Sequence, residues 1–256
     1  EAKEHKERDM ERVKSLEGKS IAIVGLGESW LDYNLAKSHG AKFDEVWTIN
    51  AVGSVIFHDR TFMMDPVSRF LDTDDAGGQT DAMTEVLLND DKPIYTCELD
   101  DRCNNLIEYP INEILKEFNC CYLNNTVAYA IAFALWNKVS TIKLFGIDFS
   151  YKGNLHFAEA GRGCVEFWLS KAMHLGVQIE VAKSSGLLDT NVLAQEKLYG
   201  YHRLQDPLII MSDGKGFMTS MKKSEAMALQ EEVKEQKPIL IDRNDNHLKP
   251  PEPKEW

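Results

Sequence analysis

The stretch Ser20-Ile21-Ala22-Ile23-Val24-Gly25-Leu26-Gly27-Glu28-Ser29 decides how the rest of the chain is read. Its first five residues are a short apolar run without polar alternation, the form of a strand buried on both faces of a parallel sheet. Two glycines follow at once, and a helical pattern then runs from Leu31 to His39 and stops at Gly40. A strand, a glycine turn and a helix in that order open a βαβ unit. Glycines let a backbone approach a phosphate closely, and the start of a helix adds free N–H groups and a favourable dipole. Trp30 occupies the place of the third glycine of the dinucleotide fingerprint, which disfavours NAD and FAD. A tight turn with Ser29 as the N-cap of the helix accounts for the same residues.

The alternation continues along the chain. Further strands are predicted at Glu45–Ile49, Arg60–Met64, Pro93–Cys97, Thr141–Phe145 and Val177–Val181. Helices are predicted at Thr80–Leu88, Ile111–Phe118, Thr126–Trp136 and Cys164–His174. The Thr126–Trp136 run is almost wholly apolar and rich in alanine, which favours a buried helix over a strand. The pattern predicts an α/β protein: a Rossmann-like, doubly wound, mainly parallel sheet with helices on both faces. Three regions are expected. Residues 1–18 form a charged N-terminal helix with Met10, Val13 and Leu16 on one side, and residues 19–190 form the Rossmann-like nucleotide-binding domain. Residues 191–256 are an extension holding a lid or acceptor segment (Leu198-Tyr199-Gly200-Tyr201-His202-Arg203), a charged helix over Lys222–Glu235 and a Pro-rich extended tail from Lys249.

Composition narrows the function classes. The formal net charge is −12, from 41 acidic against 29 basic side chains. That balance argues against binding a nucleic-acid backbone, which needs clustered Lys and Arg. It leaves a small nucleotide open, since backbone N–H groups hold such an anion. The cysteines at 97, 103, 120, 121 and 164 form no C-x-x-C pair and no Cys/His ligand spacing, so neither a disulfide framework nor a metal site is assigned. No signal-peptide pattern opens the sequence and no apolar run approaches membrane-spanning length, so a cytoplasmic location is expected.

In a doubly wound sheet, ligands gather beyond the carboxyl ends of the strands, so residues just after strands are the candidates. Gly25, Gly27 and Ser29 form the first group. Asn50, with Asp65-Pro66, forms the second: an amide at a strand end can read a base or ribose, and equally it can make a turn. Asn124-Asn125-Thr126 forms the third, where Asn125 or Thr126 caps the apolar helix or faces a phosphate. The fourth is Gly146-Ile147-Asp148-Phe149-Ser150-Tyr151, followed by His156. Asp148 could orient a ligand hydroxyl, bind a metal or fix its loop, and His156 could be a general base or a phosphate contact. The acids Asp74 and Asp75, in a polar loop or lid over Asp72–Asp81, form a solvated loop or a divalent-ion site.

Taken in order, these groups resemble the campylobacter-type sialyltransferases and the related archaeal pterin diphosphokinase and motility accessory factor families. They are also similar to proteins encoded in tailed-phage genomes. The best-matched motifs are Asn124-Asn125-Thr126-Val127-Ala128-Tyr129 and Ile142-Lys143-Leu144-Phe145-Gly146-Ile147-Asp148-Phe149, within residues 20–182. The resemblance implies that Gly25, Gly27, Ser29, Asn50, Asn125, Thr126, Gly146 and Ser150 hold a nucleotide donor and that Asp148 supports its pocket. Two tyrosines of the sialyltransferases bind the leaving phosphate. Ser150 stands at the first position, with Tyr151 adjacent, and His156 at the second. The catalytic His of that family has no equivalent, and Gly161-Arg162-Gly163 lies near its place, where Arg162 could neutralise a phosphate. The implied activity is a transferase using a nucleotide-activated donor, foremost a glycosyltransferase on a CMP- or other nucleotide-sugar, with His156, Tyr151, Arg162 and Asp148 at the chemistry. The alternatives are a Mg²⁺-dependent diphosphokinase-like phosphotransferase and a non-catalytic nucleotide-binding module. No tightly bound cofactor is expected; the partners are the donor and an acceptor that the sequence does not identify, with homo-oligomerisation left open.

Overall fold

A computed structural model describes residues 10–150, 154–194, 196–201, 206, 208–212 and 218–234. The chain divides into two compact units, Glu1–Leu193 and Ala194–Trp256. In the first unit the strands are β1 (Ser20–Val24), β2 (Glu45–Ile49), β3 (Arg60–Phe62), β4 (Ile94–Thr96), β5 (Leu106–Glu108), β6 (Thr141–Phe145) and β7 (Gln178–Val181). The helices are α1 (Trp30–Ser38), the single turn α2 (Ser68–Leu71), α3 (Thr80–Asn89), α4 (Ile111–Phe118), α5 (Thr126–Trp136) and α6 (Leu155–His174). The strands form one seven-stranded sheet in the order β5-β4-β3-β2-β1-β6-β7, and every neighbouring pair is parallel. The expected Rossmann-like α/β fold is therefore the observed one.

Strand alternation sends Ile21 and Ile23 of β1 to one face and Ala22 and Val24 to the other. The first face packs with Trp47, Phe62, Ile142 and Leu144 against α5 and α6 in the largest core. Phe133 of α5 is its hub, with its ring 4.5 Å from Tyr95, 5.4 Å from Phe62 and 5.7 Å from Trp47, centroid to centroid. This explains the unbroken apolar run of α5: nine of its eleven residues are buried, so no side of the helix needs polar cover. On the second face Tyr33 of α1 packs with Ala22, Val24, Val46 and Phe145. Met83, Val86 and Leu87 of α3 pack there with Met63 and Ile94.

The sheet reverses direction of growth at β1. From β1 the chain adds β2 to β5 on one side, and after the crossover through α4 and α5 it adds β6 and β7 on the other. The crevice at the carboxyl ends of β1 and β6 is thus the topological switch point of the fold.

Three expectations about elements are corrected. The helix predicted over Cys164–His174 begins at Leu155, so His156 lies in its first turn instead of a loop, and Gly161-Arg162-Gly163 lie inside it. Gly161 looks like a helix breaker but serves packing: a Cβ there would stand 2.7 Å from Cε1 of Phe149. The short strand β5, with no residue fully buried, was not anticipated. Of the charged N-terminal helix, residues 1–9 lie outside the described residues, and Lys14–Leu16 form one 3-10 turn that buries Leu16. The predicted loop Asp72–Asp81 ends in a 3-10 turn, Gly77–Gln79, that leads directly into α3.

In the second unit, β8 (Leu208–Ser212) and β9 (Met218–Lys222) form an antiparallel hairpin followed by α7 (Lys223–Lys234). The expected solvated helix matches α7, while the hairpin before it was not anticipated. His202, Arg203 and the Pro-rich tail lie outside the described residues. No helix among the described residues is long and apolar enough to cross a membrane.

Candidate functional site

Two loops meet at the switch point. The turn after β1 is zipped to the end of β6 by Gly25 N–H donating to the Phe145 carbonyl at 2.8 Å and Gly27 N–H to the Gly146 carbonyl at 2.8 Å. This closeness requires glycine. A Cβ on Gly25 would lie 2.6 Å from the Gly146 carbonyl oxygen, and one on Gly146 would collide with the Gly25 carbonyl. Gly146 also has φ +65°, a region that side chains resist. Behind the two loops, Ser185 is 1% exposed and its hydroxyl donates to the Ile147 carbonyl at 2.9 Å, bracing the second loop from below.

Between the loops and the end of β2 lies a cavity of ≈ 500 Å³. Its walls are Gly25–Glu28 from the first loop, Gly146–Ser150 from the second, Ile49 at the end of β2 and Asn50 just after it, Gln79 from the turn before α3, and Val127 from α5. That volume suits a small organic ligand. Leu26 and Glu28 line it, and their backbone N–H groups have no partner among the described residues. Asn50 sits at φ +52°, and its side-chain oxygen is buried without a hydrogen-bond partner among the described residues. Glu28 and Asp148 are the ionisable side chains of the described lining, so it carries two carboxylates and no cation. Among the described residues no group of three or more His, Cys, Asp or Glu could hold a metal ion.

Of the residues proposed from sequence, Gly25, Gly27, Asn50, Gly146, Asp148 and Ser150 line this one cavity. Ser29 stands just behind it, 2% exposed. Its hydroxyl does not cap α1; it donates to Asp148 and accepts from Gly146 N–H at 2.9 Å. Asn125 is the N-cap of α5, accepting from Ala128 N–H at 3.1 Å, and its amide also donates to the Gly161 carbonyl at 3.2 Å. Thr126 opens α5 beside the lining residue Val127. Asp65 pairs with Arg69. His156 and Arg162 are not in the lining. Arg162 is clamped by Glu166 at 2.8 Å and Asp189 at 2.7 Å, which hold its pKa above the ordinary value. Tyr151 lies outside the described residues.

Leu26, Glu28 and Phe149 stand inside the motifs quoted from sequence but were given no role of their own, and neither were Gln79 and Ser185. Glu28 and Leu26 could have been found, since each lies between residues already proposed. Gln79 lies inside the loop predicted over Asp72–Asp81, where only the acids were given a role, and Ser185 lies 22 positions beyond Gly163 and carries no local signal.

No family model matches the chain, and no curated protein matches it. Among solved structures it is similar to the sialyltransferase CstII from Campylobacter jejuni in complex with the substrate analogue CMP-3FNeuAc. The identity is 18%, the TM-score 0.44, and the match covers 66% of this chain and 82% of that one. It is also similar to CstII in complex with cytidine-5'-monophosphate, at 15% identity and a TM-score of 0.41, covering 69% and 84%. Similarity at this level is too low to transfer the role of any residue.

Proposed function

We propose that this chain binds a nucleotide-activated donor in the cavity between β1 and β6 and transfers the activated group, as a glycosyltransferase does. The observation that carries the reading is the junction of two loops that meet through glycines at the switch point of a parallel sheet, bordering a cavity of ≈ 500 Å³. Free N–H groups at Leu26 and Glu28 offer a phosphate its hydrogen bonds. The buried, unpartnered amide oxygen of Asn50 is a group that a ribose or base donor would satisfy after a small rotation. The two carboxylates of the lining oppose a high negative charge, so a donor with one phosphate fits better than a di- or triphosphate. Catalysis then rests on positioning the donor and stabilising the departing phosphate, with Tyr151 and His156, which follow the second loop in sequence, as candidates for that task.

Thermal unfolding of the full chain with CMP, UMP, GDP, ADP and ATP, each with and without Mg²⁺, tests the reading. A rise in Tm with a nucleoside monophosphate and no metal is expected. A rise only with a di- or triphosphate and Mg²⁺ would replace it with phosphoryl transfer. No rise with any of the five would overturn nucleotide binding altogether.

A further inference from the structure

Asp148 faces the cavity, and from sequence it is a natural candidate for metal binding or proton transfer. Its surroundings assign it different work. Ser29 N–H donates to Oδ2 at 2.7 Å, and the Ser29 hydroxyl donates to Oδ1. Both carboxylate oxygens are therefore engaged by one residue of the opposite loop. The same hydroxyl oxygen accepts from Gly146 N–H at 2.9 Å, two residues before Asp148. The carboxylate also sits against Gly27, where a Cβ would stand 2.5 Å from Oδ2. Ser29 is 2% exposed, so the donors of these bonds are shielded from water, while the partly exposed Asp148 borders the cavity.

We infer that Ser29 and Asp148 form a latch that fixes the two loops of the cavity against each other, and that Asp148 is a positioning residue, neither a metal ligand nor a proton-transfer group. The closed ring Gly146 N–H to Ser29 Oγ to Asp148 sets the width of the cavity from behind. It holds the Leu26 and Glu28 N–H groups in place relative to Ser150 across the gap. A carboxylate accepts from both Ser29 groups at once, so the hydroxyl proton keeps its acceptor while Oγ accepts from Gly146 N–H. An amide at position 148 accepts from only one of the two Ser29 groups and turns its own NH₂ toward the other.

The inference rests on the nucleotide reading only for what the latch serves; the latch is a property of the free protein, and its decisive test uses no ligand. Amide exchange and amide proton shifts would be measured on the full chain for wild type, Asp148→Asn, Ser29→Ala and the double variant. In Asp148→Asn, exchange at Gly146 and Ser29 is expected to speed up at least about tenfold, the effect of losing one charge-assisted hydrogen bond. Amides of Trp47 and Thr61, in strands away from the latch, should hold their protection. The Gly146 amide proton should shift although Asp148 does not touch it, because the Ser29 hydroxyl loses its acceptor. The double variant should exceed neither single by more than about twofold, since the groups act as one unit. Additive singles, or an unmoved Gly146 amide in Asp148→Asn, would overturn the latch. Should Ser29→Ala not fold, the Gly146 amide in Asp148→Asn decides alone. In a second arm, CMP and ADP are titrated with and without Mg²⁺. A Mg²⁺ effect in wild type that Asp148→Asn alone removes would make Asp148 a metal ligand and overturn the positioning role. No binding of either probe to wild type would count against the nucleotide reading, which fails if UMP, GDP and ATP do not bind either, and would leave the exchange result standing.

Discussion

At the amino ends of the strands the polar side chains answer one another, whereas at the carboxyl ends the Asn50 acceptor is orphaned among the described residues. Glu45, which starts β2, takes the Arg60 guanidinium at 2.7 and 3.0 Å and the Trp47 indole N–H at 2.7 Å. Arg60 also donates to the Tyr95 hydroxyl at 3.0 Å. Asp44 takes Ser20 N–H at 2.8 Å, and Asp59 takes Val46 N–H at 2.7 Å. At the other end Asn50, Gly146 and Phe149 all have φ between +51° and +65°, and the Asn50 oxygen has no partner. One end of the sheet thus pairs its polar side chains with one another, and the other leaves a buried acceptor open where this topology gathers ligands.

The comparison is broken most severely at Gly146. Gly146→Ala drives a Cβ into the Gly25 carbonyl and forces φ +65° on alanine. We expect a loss of about 4 kcal/mol or failure to fold, read by urea denaturation. Next comes the amino end. Glu45→Ala leaves the Arg60 side chain, 13% exposed, without its carboxylate. About 3 kcal/mol should be lost in the same measurement, while nucleotide titration stays unchanged.

Asn50→Gly separates the two ends more finely, because its effects have opposite signs. Glycine accepts φ +52° and removes the orphaned oxygen, so stability should hold or rise by up to about 1 kcal/mol. Nucleotide affinity should fall about tenfold, measured by calorimetry. A stability loss with unchanged affinity would assign Asn50 to the turn and not to the ligand.

The smallest effect is in pH. The Ser20 N–H, ahead of the Lys19 ammonium, holds the Asp44 carboxyl below the ordinary carboxylate range. Asp100 is held at about 2 by Arg102, through side-chain and then backbone hydrogen bonds. A carboxyl lowered by folding stabilises the fold above its unfolded pKa of about 4, and that stabilisation fades as pH falls through the folded value. Between about pH 4 and pH 2, Asp44→Asn and Asp100→Asn should therefore flatten the acid limb of Tm against pH. Asp44 is exposed and Asp100 partly so, so salt should shrink the difference.

Much of the fold was legible in local sequence because parallel strands and their helices announce themselves by period. β1, β2, β6, α4 and α5 fall where the pattern put them. The failures have physical causes. α6 begins nine residues early because Gly161, a breaker by propensity, is tolerated to seat the Phe149 ring. β5 is as short as β3 and β4 but has no residue fully buried, too little apolar pattern to register. Six of the proposed residues, among them Gly25, Asn50 and Asp148, share one cavity because strand ends are where this topology gathers residues. Arg162 was singled out for a phosphate, but its charge is spent on Glu166 and Asp189, which only tertiary contacts reveal. Asp148 was legible as important, while its bond to Ser29, 119 positions away, was not.

That separation also orders events during synthesis. β1 leaves the ribosome early and pairs with β2, yet its other edge stays bare until β6 arrives after the long passage through α4 and α5. Contacts so distant in sequence close late and slowly. In the interval Ile21, Ile23 and Val24 present an open apolar edge, the kind of surface that seeds aggregation. A nascent chain halted before residue 141 would hold most of its sheet and no cavity at all, so ligand would favour only molecules whose translation had passed that point.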